Sequence, residues 1–439
     1  MRDDFAIRPR MSPMHRLWDP RSRGAGEKAH CMTESRQPVH TVFGGAHLFR
    51  ADIVERFQSV ALLSLAASAP DAATLGAALG LESGALADAV FSRVREKLLR
   101  EPVEDYRIDF EDGYGVRSAA EEDGHAVAAA REVVAGIVAG SLPWRVGVRV
   151  KSLDDSQRER CERTLRLFLS TVIGEAGRLP SNFIVNLPKV TSAGQVAQFA
   201  TILGAFERKF GLADGALHFE VMIETPEIVL GADGRSPLPR LIEAGGERLT
   251  GAIFGAYDFT AALGITAAHQ SPRHQACDFA RNMMLVALAG SHIRLSDGAT
   301  AVLPVAVHEA TGRAALTTAQ IEENGRVVRD AWKVHYESIR HAMANGFYQG
   351  WDLHPAQLVS RYAATFAFFI EGLDAAGARL KNFVAKSAQA TRVGAAFDDA
   401  ATGRGLVNYF RRAINCGAIS EDDAFERTGV RGLGSWTEL

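Results

Sequence analysis

Six charged residues stand at the ends of apolar runs, spaced 34 to 40 residues apart: Asp112, Arg149, Lys189, Glu224, Asp258 and Asp297. A strand, a helix and two loops need about 30 or more residues. The runs are short, as buried parallel strands are. A chain that repeatedly ends a strand on a polar side chain builds its site as β/α barrels do, at the carboxyl ends of successive strands. GWDLHPAQ adds Asp352 and His354 at the end of a last run.

The pattern predicts strands at 40–46, 106–110, 144–150, 183–190, 217–223, 249–255, 292–295 and 347–353, with helices between them. Eight such units predict a closed (β/α)8 TIM barrel over 36–360. Residues 48–103 exceed what one barrel helix needs and read as a helical insertion after the first strand. Residues 361–439 read as a C-terminal helical extension, and its apolar run 362–370 suits burial against the barrel or a neighbour. Asp154 or Asp155 suits a helix N-cap, as does Thr191 or Ser192. Ser271-Pro272 marks a helix start. Residues 1–35, rich in Arg, Pro, Met and Ser, read as a disordered leader.

Hydrophobic residues make up 47% of the chain and charged residues 23%, with a net charge of −3. Without a basic stripe, nucleic acid is not an expected partner. No apolar stretch reaches the roughly 18 residues that span a bilayer. Cys31, Cys161, Cys277 and Cys416 lie far apart and form no CxxC pair. Reduced thiols in a cytoplasmic protein are therefore expected, rather than a zinc cluster or disulfide framework.

Glu224 and Asp258 end neighbouring strongly apolar runs. Two carboxylates in one barrel mouth repel unless a cation separates them. Mg²⁺ prefers one or two carboxylates plus water and substrate oxygens; a helix cap or an Arg pair is the plain alternative. Gly255 lets backbone approach a ligand, so the N–H groups of Ala256, Tyr257 and Asp258 are candidate carboxylate donors. Arg149, inward by alternation, is a fork for carboxylate or carbonyl oxygen, or a structural partner of Glu111 or Asp112. Asp109, Glu111 and Asp112 are candidate acceptors for metal-bound water or Arg149. Lys189 is an electrostatic partner, a Schiff-base former or a packed lysine with a wet head. His354 is a donor to substrate or metal water, or a structural residue of the last turn; His47 carries the same alternatives.

IDFEDGYG, VRVKS, LPKVTSA, VMIETPE, FGAYDFTAALG and GWDLHPAQL, spanning about 105–360, together resemble the citrate lyase β-subunit and malyl-CoA lyase family of the HpcH/HpaI aldolase superfamily. The resemblance implies a barrel that binds Mg²⁺, or Mn²⁺ in its place, and makes or breaks a C–C bond beside a 2-oxo acid. It implies metal ligands at Glu224 and Asp258 and a substrate arginine at Arg149. Glu111 and Asp112 become acids near the metal water, and His354 matches a late His-Pro. Asp112 stands where pyruvate-type aldolases carry a histidine base, which places the chain nearer the lyase branch. The family assembles as trimers or hexamers, and a neighbour's C-terminal aspartate assists catalysis; Asp398 or Asp399 is the counterpart offered here. The 48–103 insertion and the extra helices depart from the family.

The expected function is an Mg²⁺-dependent aldolase or lyase acting on pyruvate, glyoxylate or oxaloacetate with an aldehyde partner. An acyl-CoA lyase or thioesterase using the same metal and a CoA thioester substrate is the first alternative. A Schiff-base aldolase on Lys189 and a non-catalytic barrel are the others.

Overall fold

The computed structural model describes residues 36–81, 84–310, 315–389 and 400–435. The leader and Asp398 and Asp399 lie outside the described residues. The chain divides into two compact units, one Gln37–Phe368 and the other taking in Phe369–Leu439.

The first unit contains eight parallel strands: β1 (His40–Gly45), β2 (Asp105–Asp109), β3 (Arg145–Arg149), β4 (Ile184–Leu187), β5 (His218–Ile223), β6 (Leu249–Phe254), β7 (Arg294–Ser296) and β8 (Gly350–Asp352). They lie in the order β7-β6-β5-β4-β3-β2-β1-β8. The ring closes just past β7, where the Asp297 N–H donates to the Gln349 carbonyl at 2.8 Å and Ala299 bridges Trp351. The (β/α)8 barrel expected from the sequence is therefore the fold. Each strand falls within or near its expected run, and all but β2, which keeps its expected length one residue earlier, are shorter.

Three helices fill the region after β1: α1 (Ile53–Ser68), α2 (Ala72–Leu79) and α3 (Gly84–Arg100). The barrel helices proper are α4 (Ala119–Ala139), α5 (Arg158–Ala176) and α6 (Ala193–Phe210). Short α7 (Pro226–Val229) and α8 (Arg240–Gly245) follow β5, and α9 (Ala256–Ala262) and α10 (Gln275–Ala287) follow β6. Then come α11 (Thr318–Ala344) and α12 (Gln357–Glu371). Ser192 caps α6 as expected, accepting from the Gln195 N–H. Two expected helix starts are corrected. Asp154 instead closes a turn onto the N–H groups of Ser156 and Gln157, and α5 begins after Gln157. The Ser271-Pro272 pair lies in a turn, and His274 caps α10. In both places a polar turn precedes the helix, and the side chain bonds the turn first.

The lumen is layered. Asp105, Arg107, Arg145, Asn186 and Glu220 form a buried ionic layer. Arg107 reaches Asp105 and Asn186 and donates to Glu220 at 2.9 Å; Arg145 donates to Glu220 at 3.1 Å. Strands β2 and β5 are not neighbours, so the Arg107–Glu220 contact crosses the lumen. Phe43, Met222, Ile253, Ala299 and Trp351 make an apolar cluster from β1, β5, β6, β8 and the end of β7. The run 362–370 lies in α12, where Tyr362, Phe366 and Ala367 are buried and the Tyr362 hydroxyl donates to the Pro102 carbonyl at 2.9 Å.

The second unit contains α13 (Leu373–Gln389), α14 (Ala400–Asn415) and α15 (Glu421–Thr428). Ser420 and Asp423 form a capping box at the start of α15. Arg427 of α15 donates to Asp374 of α13 at 3.0 Å. No single helix among the described residues is long and apolar enough to cross a membrane.

Candidate functional site

The strand ends converge on Arg149 and Lys189. Asp109 and Arg149 face each other because β2 and β3 pair in that register. The Arg149 Nε donates to Asp109 Oδ1 at 2.7 Å, and its Nη2 donates to Oδ2. Asp109 also accepts the N–H groups of Glu111 and Gly113, at 2.9 and 2.8 Å. Its oxygens are thus committed to holding the Arg149 fork and the turn after β2. Gly113 suits this turn, since a Cβ there would stand 2.5 Å from Asp109 Oδ2.

Arg149 is fully buried. Its guanidinium lies 5.0 Å from the Phe43 ring centroid and 5.1 Å from that of Trp351, so aromatic faces stabilise the cation. Its Nη1 is left beside Glu111 at 3.2 Å and Asp112 at 3.6 Å.

Lys189 follows β4 with φ of 51°, a left-handed conformation costing a non-glycine residue about 1–2 kcal/mol. This bend sends its N–H to Glu224 Oε1 at 2.7 Å. Its ammonium meets Asp258 at 3.1 Å and both Glu111 and Asp112 at 3.3 Å. Burial opposes its charge, but Glu224, Glu111, Asp112 and Asp258 together raise its pKa above the usual lysine value.

Glu224 directly follows β5 and is 1% exposed, and its Oε2 is buried without a hydrogen-bond partner. Burial first, and then Asp258, push its pKa up to about 7 despite Lys189 and Arg149. Gly255 makes room for this carboxylate: a Cβ there would meet Glu224 Cβ and Oε2 at 2.5 Å. Asp258 stands in the first turn of α9 with its side chain 46% exposed. The N–H groups of Ala256, Tyr257 and Asp258 open that helix and have no intrahelical acceptor by position. The Tyr257 hydroxyl accepts the Ala301 N–H at 2.7 Å. Burial raises Glu111 to about 7 against the pull of Arg149. Asp112 is also buried in part, yet Glu111, Arg149 and Lys189 hold it below its usual value.

The cluster thus sets five carboxylates against two cations. Among the described residues no group of three His, Cys, Asp or Glu side chains forms a metal cage. Two carboxylates with open positions are what Mg²⁺ takes, and the orphaned Glu224 oxygen beside Asp258 fits such an ion. The residues present fit a divalent cation held by Glu224 and Asp258.

Arg149, Lys189, Glu111, Asp112, Glu224 and Asp258 are brought together. His354 is not joined to them by any hydrogen bond or ion pair among the described residues. Its Nδ1 accepts the Ala356 N–H at 3.2 Å, and burial lowers its pKa. Two other strand-end acids are structural. Asp297 pairs with Arg281 at 2.7 Å. Asp352 is buried among Arg361, His40 and His335, at 2.7, 2.9 and 3.1 Å.

Sequence reading named Asp109, Glu111 and Asp112 alike as acceptors for Arg149 and missed that Asp109 is the main one. The alternating Asp105, Arg107 and Asp109 carry that signal, because they share one face of β2. It also missed Phe43 and Trp351, which barrel closure alone makes neighbours of Arg149.

A family model described as a domain of unknown function, DUF6986, matches residues 28–433. The chain belongs to the DUF6986 family. No curated protein matches the chain. Among solved structures, this DUF6986 chain is similar to a citrate lyase from Burkholderia xenovorans LB400, with 20% identity and a TM-score of 0.52 over 77% of this chain and 91% of that one. A likeness at that identity is one of fold, and it agrees with the fold of the family that the motifs resemble. Looser matches are a CitE protein from Mycobacterium tuberculosis in complex with magnesium, acetoacetate and coenzyme A (18% identity, TM-score 0.46, 86% and 98% covered) and a Haloferax volcanii malate synthase (15%, 0.46, 74% and 74%).

Proposed function

We propose that this protein is a divalent-metal-dependent carbon–carbon lyase or aldolase acting beside a 2-oxo acid. The observation that carries the reading is Glu224: a buried carboxylate with one oxygen unpartnered, beside a mouth where carboxylates outnumber cations. The motif resemblance points the same way. Glu224 and Asp258 would hold the cation, Mg²⁺ or Mn²⁺, which when bound supplies a Lewis acid for a carbonyl oxygen.

The chain's own residues account for the rest of the chemistry. Asp109 engages Nε and Nη2 of Arg149, so Nη1 is the nitrogen left to donate to a substrate carboxylate or carbonyl oxygen. The first-turn N–H groups of Ala256 and Tyr257 are donors for the same carboxylate. Glu111, with a pKa of about 7, can hold or release a proton near neutral pH at its carboxyl oxygens, which suits a general acid–base group. Asp112, held ionised, keeps negative charge beside it. Lys189 positions Asp258 and Glu111 through its ammonium. Three ion pairs keep that ammonium protonated, which weighs against Lys189 as a Schiff-base nucleophile.

The test is turnover on 4-hydroxy-2-oxo acids, malyl-CoA and citramalyl-CoA, with EDTA and with Mg²⁺ restored. EDTA should abolish activity and Mg²⁺ restore it, and Glu224→Gln should be inactive. Full Mg²⁺ affinity and turnover in both Glu224→Gln and Asp258→Asn would overturn the metal assignment. Turnover of the thioesters alone would identify an acyl-CoA lyase or thioesterase instead of a CoA-independent aldolase. Borohydride trapping unaffected by EDTA would revive the lysine route.

A further inference from the structure

Beside the acidic cluster lies a cationic and aromatic one that the proposed reaction does not use. The His47 ring, just past β1, lies 5.6 Å from the Tyr114 ring and 6.1 Å from that of His125. The Arg117 guanidinium sits 5.0 Å over Tyr114. The Tyr114 phenol, pushed up to about 12 by burial and then by Glu122, keeps its proton and bonds His125 Nδ1 at 2.6 Å. In the tautomer whose Nδ1 accepts the phenol proton, His125 Nε2 is a donor. The His47 Nδ1 is buried with no partner. Arg50 folds back to donate to the His47 carbonyl at 3.3 Å.

The acids nearby are already engaged. Glu121 accepts the N–H and hydroxyl of Ser118, and Glu122 pairs with Arg160 and Lys151. Among the described residues no carboxylate forms an ion pair with Arg50 or Arg117. Burial, then Arg117, His125 and Arg50, lower the His47 pKa, as neighbouring cations do to an imidazole, while Glu121 lies within Coulombic range of Arg117 and His125. This cluster adjoins the metal-facing one. The His47 ring and the Gly113 carbonyl both crowd the Gly45 α-carbon, each 2.6 Å from where a Cβ would stand. The Gly113 N–H meanwhile binds Asp109.

We propose that His47, Tyr114, His125 and Arg117, backed by Arg50, form a subsite for a second anionic group of the substrate, a carboxylate or a phosphate. The proposal rests on the reading of the neighbouring site as one for a 2-oxo acid, and it narrows the substrate to one that carries a further negative charge. Imidazole and guanidinium donors are the groups that bind such anions.

The experiment measures binding by calorimetry to the Mg²⁺-loaded protein. The probes are pyruvate, oxaloacetate, 2-oxoglutarate, inorganic phosphate and coenzyme A. Wild type should bind a dicarboxylate, coenzyme A or phosphate with a margin over pyruvate of about tenfold or more, the scale of a charged hydrogen bond. Arg117→Ala, at an exposed position, and His47→Gln should each remove most of that margin. Loss confined to the dicarboxylates supports the subsite with a carboxylate as its anion. Loss confined to coenzyme A and phosphate supports it with a phosphate. Unchanged affinity ratios in both variants would overturn it. Phosphate titrated into Glu224→Gln separates the two proposals, because that arm reads the subsite without the metal. A response to Arg117→Ala there, with no oxo-acid binding anywhere, would sink the metal reading alone.

Discussion

Arg149 shows how one side chain can be fixed by three unlike forces. Asp109 takes two of its nitrogens, Phe43 and Trp351 stack on its faces, and Glu111 lies beside the third. A lysine keeps the charge but loses the planar fork. Arg149→Lys should lower kcat/KM by about a hundredfold or more with the fold retained, read by steady-state kinetics alongside circular dichroism. Glu224 and Glu111 set the pH response. Their folded pKa values of about 7 lie above the ordinary 4.5, so between these values the folded protein binds protons that the unfolded chain does not. Their stabilising contribution is complete below about pH 4.5 and is lost as pH rises through about 7. The metal-free protein should therefore melt lower at about pH 8 than at about pH 5.5, as far as these groups decide. Mg²⁺ affinity should run the other way, rising towards about pH 7 and then levelling. Thermal melts with and without Mg²⁺ across that range check both, and a pH-independent Mg²⁺ affinity would contradict the assignment.

At the scale of elements, the site depends on how strands turn into helices. Gly255 directly follows β6, where a methyl group would strike Glu224. Gly255→Ala should weaken Mg²⁺ binding about tenfold or more while the protein still folds, measured by calorimetry. Lys189 holds a strained turn, so substitution there separates backbone from charge. Lys189→Gly should relieve strain yet free Asp258 and Glu111, lowering kcat without loss of thermal stability. Ser118 and Glu121 form a capping box on α4, so Ser118→Ala should cost about 1 kcal/mol in urea unfolding.

The whole barrel is held by buried charge as well as by apolar packing. Asp352 joins His40 on β1, His335 on α11 and Arg361 on α12 at the seam where β8 meets β1. Removing one partner of such a network leaves uncompensated charge in the interior. Asp352→Ala should lose about 3–5 kcal/mol, seen as a large drop in the denaturant midpoint.

The sequence by itself determined the eight-unit barrel, because strand length and repeat spacing are local properties that hydrophobic patterning records. It also marked Glu111, Asp112, Arg149, Lys189, Glu224 and Asp258, since each is a charge that interrupts or ends an apolar run. What only the tertiary structure decided is which strand ends share a neighbourhood. Asp297 and Asp352 carry the same local signature as Asp258, yet cations on helices packed behind the strands claim them. His354 bonds its own turn. Phe43 and Trp351, some three hundred residues apart in the chain, meet over Arg149 because β1 pairs with β8. Residue spacing specifies where a side chain leaves its strand, but which partner it finds across the lumen depends on register and closure, and those are set by all eight strands at once.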